Sequence, residues 1–389
     1  MKSNLSKFAK VAALGLALTF ALSCSSDNNG GNDPSPQPLP GLPSSSDNGS
    51  NGGGSSSSVT GGGDGSSSSV ANDGSSSSAT GGDSSSSGGD ASSSSVGADN
   101  TADVYVAGTD RVSSKIVAAL WKNDTEQILS TETSEARSVF VSGSDVYVAG
   151  NDLLSGATLW KNGTAQTLGG SSAYSVYVSG TDVYVAGIND MKATLWKNGT
   201  AQTLSTVSSS AVSVYVSGTD VYVAGEIDGV ATLWKNGVVQ TLSTQYSIAY
   251  SVYVSSTDVY VAGFEGSDNN RRATLWKNGI AQVLSTEYST TRSVFVSGTD
   301  VYVAGGVKDD RYDNLLKTAL WKNGVAQTFD RTSTDELANS VYVSGTDVYV
   351  AGYYNGAVFW KNGIRQTLNT NGSGTNQIKA LSIFVVPKN

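Results

Sequence analysis

The side chains best suited to bind a ligand recur at one position of a repeated pattern. Arg137, Tyr174, Tyr250, Arg292 and Asn339 each come directly before a segment Ser-Val-Tyr-Val or Ser-Val-Phe-Val. Tyrosine rings and guanidinium groups stack on flat ligand surfaces, and arginine and asparagine offer several hydrogen-bond donors. We therefore expect these five residues to bind a polysaccharide or a protein segment. The alternative is that they are ordinary exposed loop residues.

A second set of candidates lies in segments that differ from copy to copy. The richest of these segments span residues 264–272, 306–318 and 353–354. Binding residues commonly lie on variable loops that a rigid scaffold holds in place. The ligand-binding candidates in these segments are Phe264, Arg271, Arg272, Tyr312, Tyr353 and Tyr354.

The composition excludes several kinds of active site. The chain has no histidine and one cysteine, which excludes imidazole catalysis and cysteine-ligated zinc. Its 33 acidic residues outnumber its 24 basic ones, which argues against a nucleic-acid partner. The acidic run at 309–314 lacks the alternating ligands and turn glycine of a calcium loop, so we predict no metal and no cofactor. A catalytic pair of carboxylates cannot be recognised in one sequence, so enzymatic activity stays uncertain.

A sequence repeat across residues 101–389 must position these candidates. The tripeptide Trp-Lys-Asn occurs seven times at intervals of 36 to 45 residues, and each copy also contains Val-Tyr-Val-Ala-Gly. A repeat of about 40 residues built from strand-like segments is typical of a β-propeller blade. The sequence therefore predicts an all-β, seven-bladed β-propeller.

Each copy divides into four short strands. In the third copy these are predicted at 175–178, 182–186, 193–197 and 201–204. Turn residues separate them, and Asn198-Gly199 is a strong hairpin signal. We therefore expect four-stranded antiparallel blades. The first copy has Asn123-Asp124 instead, for which we expect a looser turn.

The two ends of the repeat region predict how the ring closes. The region begins with a second strand at 103–107 and ends with a first strand at 382–385. The carboxyl-terminal strand should therefore join the amino-terminal blade, which removes an exposed sheet edge.

Three aromatic positions recur, one on each of the first three strands of a copy. We predict that all three pack between neighbouring blades, whereas a lectin-like set of exposed platforms is the alternative. We expect the aspartate that opens each second strand to bind backbone amides. The lysine after each tryptophan should lie on a solvated outer edge.

The copies differ on one face only. The turns between strands one and two, and between strands three and four, barely vary and lie on the same face of the ring. The loops between strands two and three and between blades vary, and they lie on the opposite face. We expect this variable face to be the recognition surface, with the five residues named first around the mouth of the central channel.

The amino-terminal 100 residues predict a targeting signal followed by a tether. An apolar run at 11–22 follows several lysines and ends in Ala21-Leu22-Ser23-Cys24, which resembles the lipobox of bacterial lipoproteins. That resemblance implies a signal peptide at 1–23 and acylation of Cys24, although an ordinary secretory signal is the alternative. Residues 24–100 are rich in Ser, Gly and Asp, and we expect a disordered tether spanning about 50 Å.

The combination Ser-Val-Tyr-Val-Ser-Gly-Thr-Asp-Val-Tyr-Val-Ala-Gly, followed by Ala-Thr-Leu-Trp-Lys-Asn-Gly, resembles the Trp-Lys-Asn-Gly repeat proteins of Gram-negative bacteria. Most of these are uncharacterised lipoproteins. The resemblance implies a β-propeller lipoprotein and no particular activity, because the shared motifs are structural.

These observations lead to one expected function and two alternatives. We expect a monomeric, non-catalytic binding module in the cell envelope that recognises a polysaccharide or protein through its variable face. Its acyl chains would hold it in the outer membrane, facing the periplasm or the cell surface. The alternatives are a carboxylate-dependent glycosidase or lyase, and a structural scaffold in a surface assembly.

Overall fold

The computed structural model describes residues 101–267, 270–309, 316–329, 336–371 and 377–388. These residues fall in one compact unit of the chain. The predictions for the signal peptide, Cys24, the tether and Tyr312 lie outside the described residues. Across the described ranges, no helix is long and apolar enough to cross a membrane.

The described residues form seven antiparallel sheets of four strands, so the predicted seven-bladed propeller is confirmed. Blade 1 contains β28, β1, β2 and β3 in that order, and blades 2 to 7 take the strands β4 to β27 in consecutive groups of four. The strands are β1 (Ala102–Val112), β2 (Lys115–Lys122), β3 (Thr125–Ile128), β4 (Ser134–Ser142), β5 (Asp145–Asp152), β6 (Gly156–Lys161), β7 (Thr164–Thr167), β8 (Ser172–Ser179), β9 (Asp182–Asn189), β10 (Lys192–Lys197), β11 (Thr200–Thr203), β12 (Ser209–Ser217), β13 (Asp220–Ile227), β14 (Val230–Lys235), β15 (Val238–Thr241), β16 (Ser247–Ser255), β17 (Asp258–Glu265), β18 (Arg272–Lys277), β19 (Ile280–Val283), β20 (Ser289–Ser297), β21 (Asp300–Lys308), β22 (Leu316–Lys322), β23 (Val325–Thr328), β24 (Glu336–Ser344), β25 (Asp347–Tyr354), β26 (Ala357–Lys361), β27 (Ile364–Thr367) and β28 (Lys379–Pro387).

The ring closes as the repeat phase predicts. Strand β28 pairs with β1, with Tyr105 opposite Phe384 and Ala102 opposite Pro387. The chain leading into β28 is also fastened to blade 1, because the Trp121 Nε1 donates to the carbonyl of Asn369 at 2.7 Å. Pairing of the two chain ends removes a free inner edge from the sheet.

The core is divided into seven clusters, one between each pair of neighbouring blades. Between blades 4 and 5, for example, Tyr222 and Leu233 from one blade meet Val252 and Trp276 from the next. The seven tryptophans are between 0 and 4 % exposed. Burial of large rings between blades is therefore confirmed for the tryptophans and for the second-strand tyrosines.

The first-strand aromatic residues are partly buried and each packs against one of the clusters between blades, as predicted. They also contact one another and form a closed annulus inside the seven inner strands, with neighbouring ring centroids 4.8–5.0 Å apart. The sequence does not predict this annulus, which forms because the inner strands lie so close to the axis that their rings meet around it. The members of the annulus are Phe140, Tyr177, Tyr215, Tyr253, Phe295, Tyr342 and Phe384.

A belt of seven serine hydroxyls also joins the blades. The Ser138 hydroxyl oxygen, for example, accepts a hydrogen bond from the Val176 backbone N–H of the next blade at 3.1 Å. The equivalent serine does the same at every blade junction, including the one across the chain ends, where Ser382 accepts from Val139. The repeated serine therefore satisfies an inner-strand donor that has no strand partner.

A β-bulge in each inner strand sets the direction of the residue before this serine. In blade 5, Ala249 pairs with Gly263 and Ser251 pairs with Ala262, which leaves Tyr250 without a partner. A Cβ on Gly263 would overlap the Ile248 carbonyl oxygen. The glycine of each Val-Tyr-Val-Ala-Gly segment therefore permits the bulge opposite it.

The repeated aspartate differs from the sequence prediction, whereas the repeated lysine is exposed to solvent as expected. Asp145 accepts from the side-chain amide of Asn162 at 2.8 Å and forms an ion pair with Lys161 at 2.7 Å. The backbone amide of Val146 donates to Asn162 instead. Lys161 also lies over the Tyr147 ring, 5.2 Å from its centroid. The predicted backbone-binding role of the aspartate was wrong, because the hairpin register brings the asparagine to that amide first.

The turn in blade 1 is not looser than the others. Asn123 and Asp124 have φ values of 47° and 67°, close to the 49° and 81° of Asn162 and Gly163. Aspartate tolerates the left-handed region better than most residues. Asp124 also accepts from the Asn369 backbone N–H at 2.7 Å, a contact that helps to fix the turn.

Candidate functional site

The structure separates the repeated residues from the variable ones. The Asn162 side chain bonds to residues at the start of β5, so the turns after β4 and β6 lie on the same face of the ring. The other face carries the loops between blades, as the sequence predicts, and also the bulges, which it does not predict. The differences between blades therefore lie on the face opposite the invariant turns, which is the variable face.

The five candidates named first all occupy the bulge position of an inner strand. Val212 and Leu381 occupy the same position in the remaining two blades. Because a bulge re-aims its extra side chain, these residues are held by the scaffold rather than by a loose loop. In order around the ring they are Arg137, Tyr174, Val212, Tyr250, Arg292, Asn339 and Leu381.

Neighbouring members of this bulge row contact each other across blade junctions. The Arg137 guanidinium lies 4.6 Å from the centroid of the Tyr174 ring, and Arg292 lies 4.3 Å from that of Tyr250. The Asn339 Nδ2 donates to the Ala380 carbonyl of blade 1 at 3.0 Å. The row therefore contains two stacked arginine–tyrosine pairs with Val212 between them.

The two arginines differ in their electrostatic partners. Arg137 forms an ion pair with Glu135 at 2.6 Å, and this carboxylate and the nearby Tyr174 raise the arginine pKa against the opposing effect of burial. Arg292 forms no ion pair or hydrogen bond with any described residue, and its Nε is buried without a hydrogen-bond partner. Arg292 is therefore a cation of the bulge row whose charge no described side chain neutralises.

Two further candidates, Phe264 and Arg271, lie beside the second pair. The Phe264 ring lies 5.9 Å from that of Tyr250, and the Arg271 guanidinium lies 4.1 Å from the Phe264 centroid. Phe264 is 0 % exposed and Arg271 is 5 % exposed, so both support the surface from beneath. Arg272 is exposed at the start of β18. The structure thus brings Tyr250, Phe264, Arg271 and Arg292 into one cluster.

Two tyrosines of this cluster were missed by the sequence analysis. Tyr246 is 48 % exposed and its ring lies 6.0 Å from that of Phe264. The Tyr288 ring centroid lies 6.0 Å from the Arg271 guanidinium. Each stands four residues before a bulge residue in its blade, a register that could have identified them. We call Tyr246, Tyr250, Phe264, Arg271, Tyr288 and Arg292 the tyrosine–arginine cluster.

Tyr353 and Tyr354 do not join this cluster or each other. They alternate along β25 and therefore point to opposite sides of the sheet. Lys379 lies 5.2 Å from the Tyr353 ring centroid, whereas Arg365 lies 3.8 Å from that of Tyr354. Tyr354 packs against the core between blades 6 and 7.

A pair of neighbouring carboxyl groups lies away from the channel mouth. Asp110 is fully buried and accepts from the Asn371 backbone N–H at 2.7 Å, and Glu126 accepts from the Asn371 side chain at 2.5 Å. Burial and the neighbouring Asp110 raise the pKa of Glu126 to about 8. Both contacts fasten the segment before β28 to blade 1, so this pair serves ring closure. The described ranges contain no group of three or more acidic or cysteine side chains placed to hold a metal.

Two surface hollows of the described part of the chain lie outside the tyrosine–arginine cluster. One of about 230 Å³ is lined by Tyr222, Lys235 and Asn278 on the face of the invariant turns. Those residues belong to the aspartate–lysine–asparagine arrangement that recurs in every blade. A hollow built from repeated residues does not distinguish one blade from another.

Comparisons with known proteins add a fold neighbour and no relative of known function. No protein-family model matches the chain, and no curated protein matches it. Among solved structures, the crystal structure of the WD40 beta propeller domain of Doa1 is 17 % identical, with a TM-score of 0.47. The match covers 66 % of this chain and 91 % of that domain. The seven-bladed fold stated above rests on the strand pairing itself.

Proposed function

We propose that this protein is a non-catalytic binding module of the cell envelope that recognises a polysaccharide or a protein through its variable face. The observation that carries the proposal is the bulge row, in which a rigid scaffold presents different side chains from seven equivalent positions. Residues that are repeated in every blade form the contacts between blades and the turns of the opposite face. Differences among blades are concentrated where a ligand can reach them.

The tyrosine–arginine cluster is the proposed centre of recognition. Tyrosine and arginine are enriched in the parts of binding surfaces that contribute most to affinity. Tyr246 offers a half-exposed ring, and Arg292 offers a guanidinium that no described residue neutralises. Phe264 packs against Tyr246 and Tyr250, and Arg271 lies over the Phe264 ring.

The proposal includes attachment to a membrane through acyl chains on Cys24. The tether at 24–100 would place the propeller about 50 Å from the lipid surface. Metabolic labelling with an alkyne fatty acid in a Gram-negative host should label the wild-type chain and leave Cys24→Ala unlabelled. Equal labelling of both chains would remove this part of the proposal.

The binding function is tested by capture on a glycan array and from an envelope extract. The full chain should retain a ligand that Tyr246→Ala loses. Val238→Thr is the matched control, because Val238 is 71 % exposed at the edge of β15 and threonine occupies the equivalent position in blades 1 to 3. No captured ligand, or equal loss in both variants, would count against the proposal.

A further inference from the structure

We propose that Tyr250, Arg292 and Asn339 form a subsite for the carboxylate of an acidic sugar, so that the ligand of the proposed binding module is a uronate-containing polysaccharide. This inference rests on the proposed function and specifies its ligand. The three residues are consecutive members of the bulge row in blades 5, 6 and 7. They are therefore adjacent around the mouth of the channel.

The guanidinium of Arg292, which has no ion-pair partner within the described ranges, carries the charge argument. The planar guanidinium matches a carboxylate with two parallel hydrogen bonds, which a lysine or an amide cannot reproduce. Stacking on Tyr250 at 4.3 Å orients the group and leaves its edge for a ligand. Because no described residue neutralises Arg292, a ligand carboxylate would supply the missing partner.

The neighbours of Arg292 favour a sugar over a peptide. Asn339 donates through Nδ2 to Ala380, and its Oδ1 accepts no hydrogen bond from the described residues. The Tyr250 hydroxyl also has no hydrogen-bond partner among them. A uronic acid carries hydroxyls next to its carboxylate, and these would pair with an amide oxygen and a phenol. The half-exposed ring of Tyr246 gives the next sugar a surface on which to stack.

The equivalent arginine in blade 2 provides an internal comparison. Arg137 occupies the same bulge position and stacks on Tyr174, but Glu135 neutralises it at 2.6 Å. A ligand carboxylate at Arg137 would have to displace that carboxylate. The structure therefore predicts one anionic subsite near Arg292 and none at Arg137.

The experiment measures binding of short oligogalacturonides to the full chain by calorimetry, with neutral cello-oligosaccharides and poly-glutamate as comparison ligands. We expect the wild type to bind oligogalacturonides and not the neutral sugars. Arg292→Gln should weaken that binding about 10- to 100-fold, since it removes a charge-assisted pair. Arg365→Gln, the matched control at an exposed position on the outer strand β27, should change the affinity less than about 2-fold. Arg292→Lys should retain part of the affinity, because it keeps the charge without the forked geometry.

The outcomes separate this inference from the function on which it rests. Equal binding by wild type and by a folded Arg292→Gln, checked by its thermal unfolding, would overturn the subsite. Tighter, Arg292-dependent binding of poly-glutamate would replace the sugar with an acidic peptide. Capture of a neutral glycan or a protein, without any binding of oligogalacturonides, would overturn the inference while leaving the binding module in place. Capture of no ligand of any kind would overturn both.

Discussion

The α-carbon of Gly263 lies against the backbone carbonyl of Ile248, two residues before the bulge residue Tyr250. Every blade repeats this contact between the end of Val-Tyr-Val-Ala-Gly and the inner strand beside it. The close approach lets the inner strand bulge, and the bulge directs the side chain that differs between blades. The invariant glycine thus positions the bulge residue, which differs from blade to blade.

Replacing Gly263 by alanine should destabilise the propeller by about 3 kcal/mol or more, because the new methyl group would overlap backbone rather than a side chain that can move. Urea unfolding measures the change. Gly298→Ser is the control, since nothing lies within 4 Å of a Cβ there and Ser256 has φ 54° at the equivalent turn of blade 5. We expect that variant to cost about 1 kcal/mol or less. Equal losses in the two variants would contradict this role for Gly263.

The architecture could be predicted from the sequence because it depends on periodicity. The seven tryptophans give the number of blades. The pairing of β28 with β1 follows because the repeat region begins with a second strand and ends with a first strand. The bulge row was also identified, since its register relative to the following serine never changes. The sequence predicts loop ends at these positions, because a bulge can be recognised only when two paired strands are aligned.

Contacts that depend on strand register or on distance from the axis could not be predicted. The Asn162 side chain reaches Val146 because a hairpin aligns them, and no spacing in the sequence shows this. Burial of Phe264 likewise depends on Arg271 folding over it. The lack of a counter-ion for Arg292 among the residues that the structure describes depends on every strand around it, and no spacing in the sequence shows it.

The repeated aspartates should make the protein sensitive to acid. Hydrogen bonding to Asn123, with contributions from Lys122 and Lys388, holds the pKa of Asp103 at about 2 against an ordinary value of 3.8. A carboxyl whose pKa is lower in the folded state stabilises the fold above about pH 4 and loses that effect as the pH falls through 2. The melting temperature should therefore fall between pH 4 and pH 2, and less steeply for Asp103→Asn. Parallel curves for the two proteins would argue against this carboxylate as a contributor.

Glu126 should have the opposite dependence on pH. Because its folded-state pKa of about 8 lies above the ordinary 4.5, the folded protein favours its protonated form. Its contribution to stability is complete below about pH 4.5 and is lost as the pH rises through 8. Glu126→Gln mimics the protonated group, so its melting temperature should exceed that of the wild type at pH 9 by more than at pH 5. Glu287→Gln, at an exposed position, should follow the wild type throughout. A constant difference between Glu126→Gln and wild type across this range would show that Glu126 is already ionised at pH 5.

The aromatic annulus should tolerate loss of a hydroxyl but not of a ring. Tyr215 packs against Tyr177 and Tyr253 at centroid distances of 4.8 and 4.9 Å, and phenylalanine fills the equivalent position in three blades. Tyr215→Phe should therefore change the free energy of unfolding by about 1 kcal/mol or less, since it removes only a hydroxyl that contacts Tyr177 and Tyr253. Tyr215→Ala should cost about 2 kcal/mol or more, because it opens a gap between two rings. Urea unfolding compares the two variants, and similar losses would mean that the hydroxyl rather than the ring holds the annulus together.

Tyr342 of the annulus should ionise only in strongly alkaline solution, because burial raises its pKa to about 12. In an alkaline titration followed by tyrosinate absorbance, its signal should therefore appear only as unfolding begins.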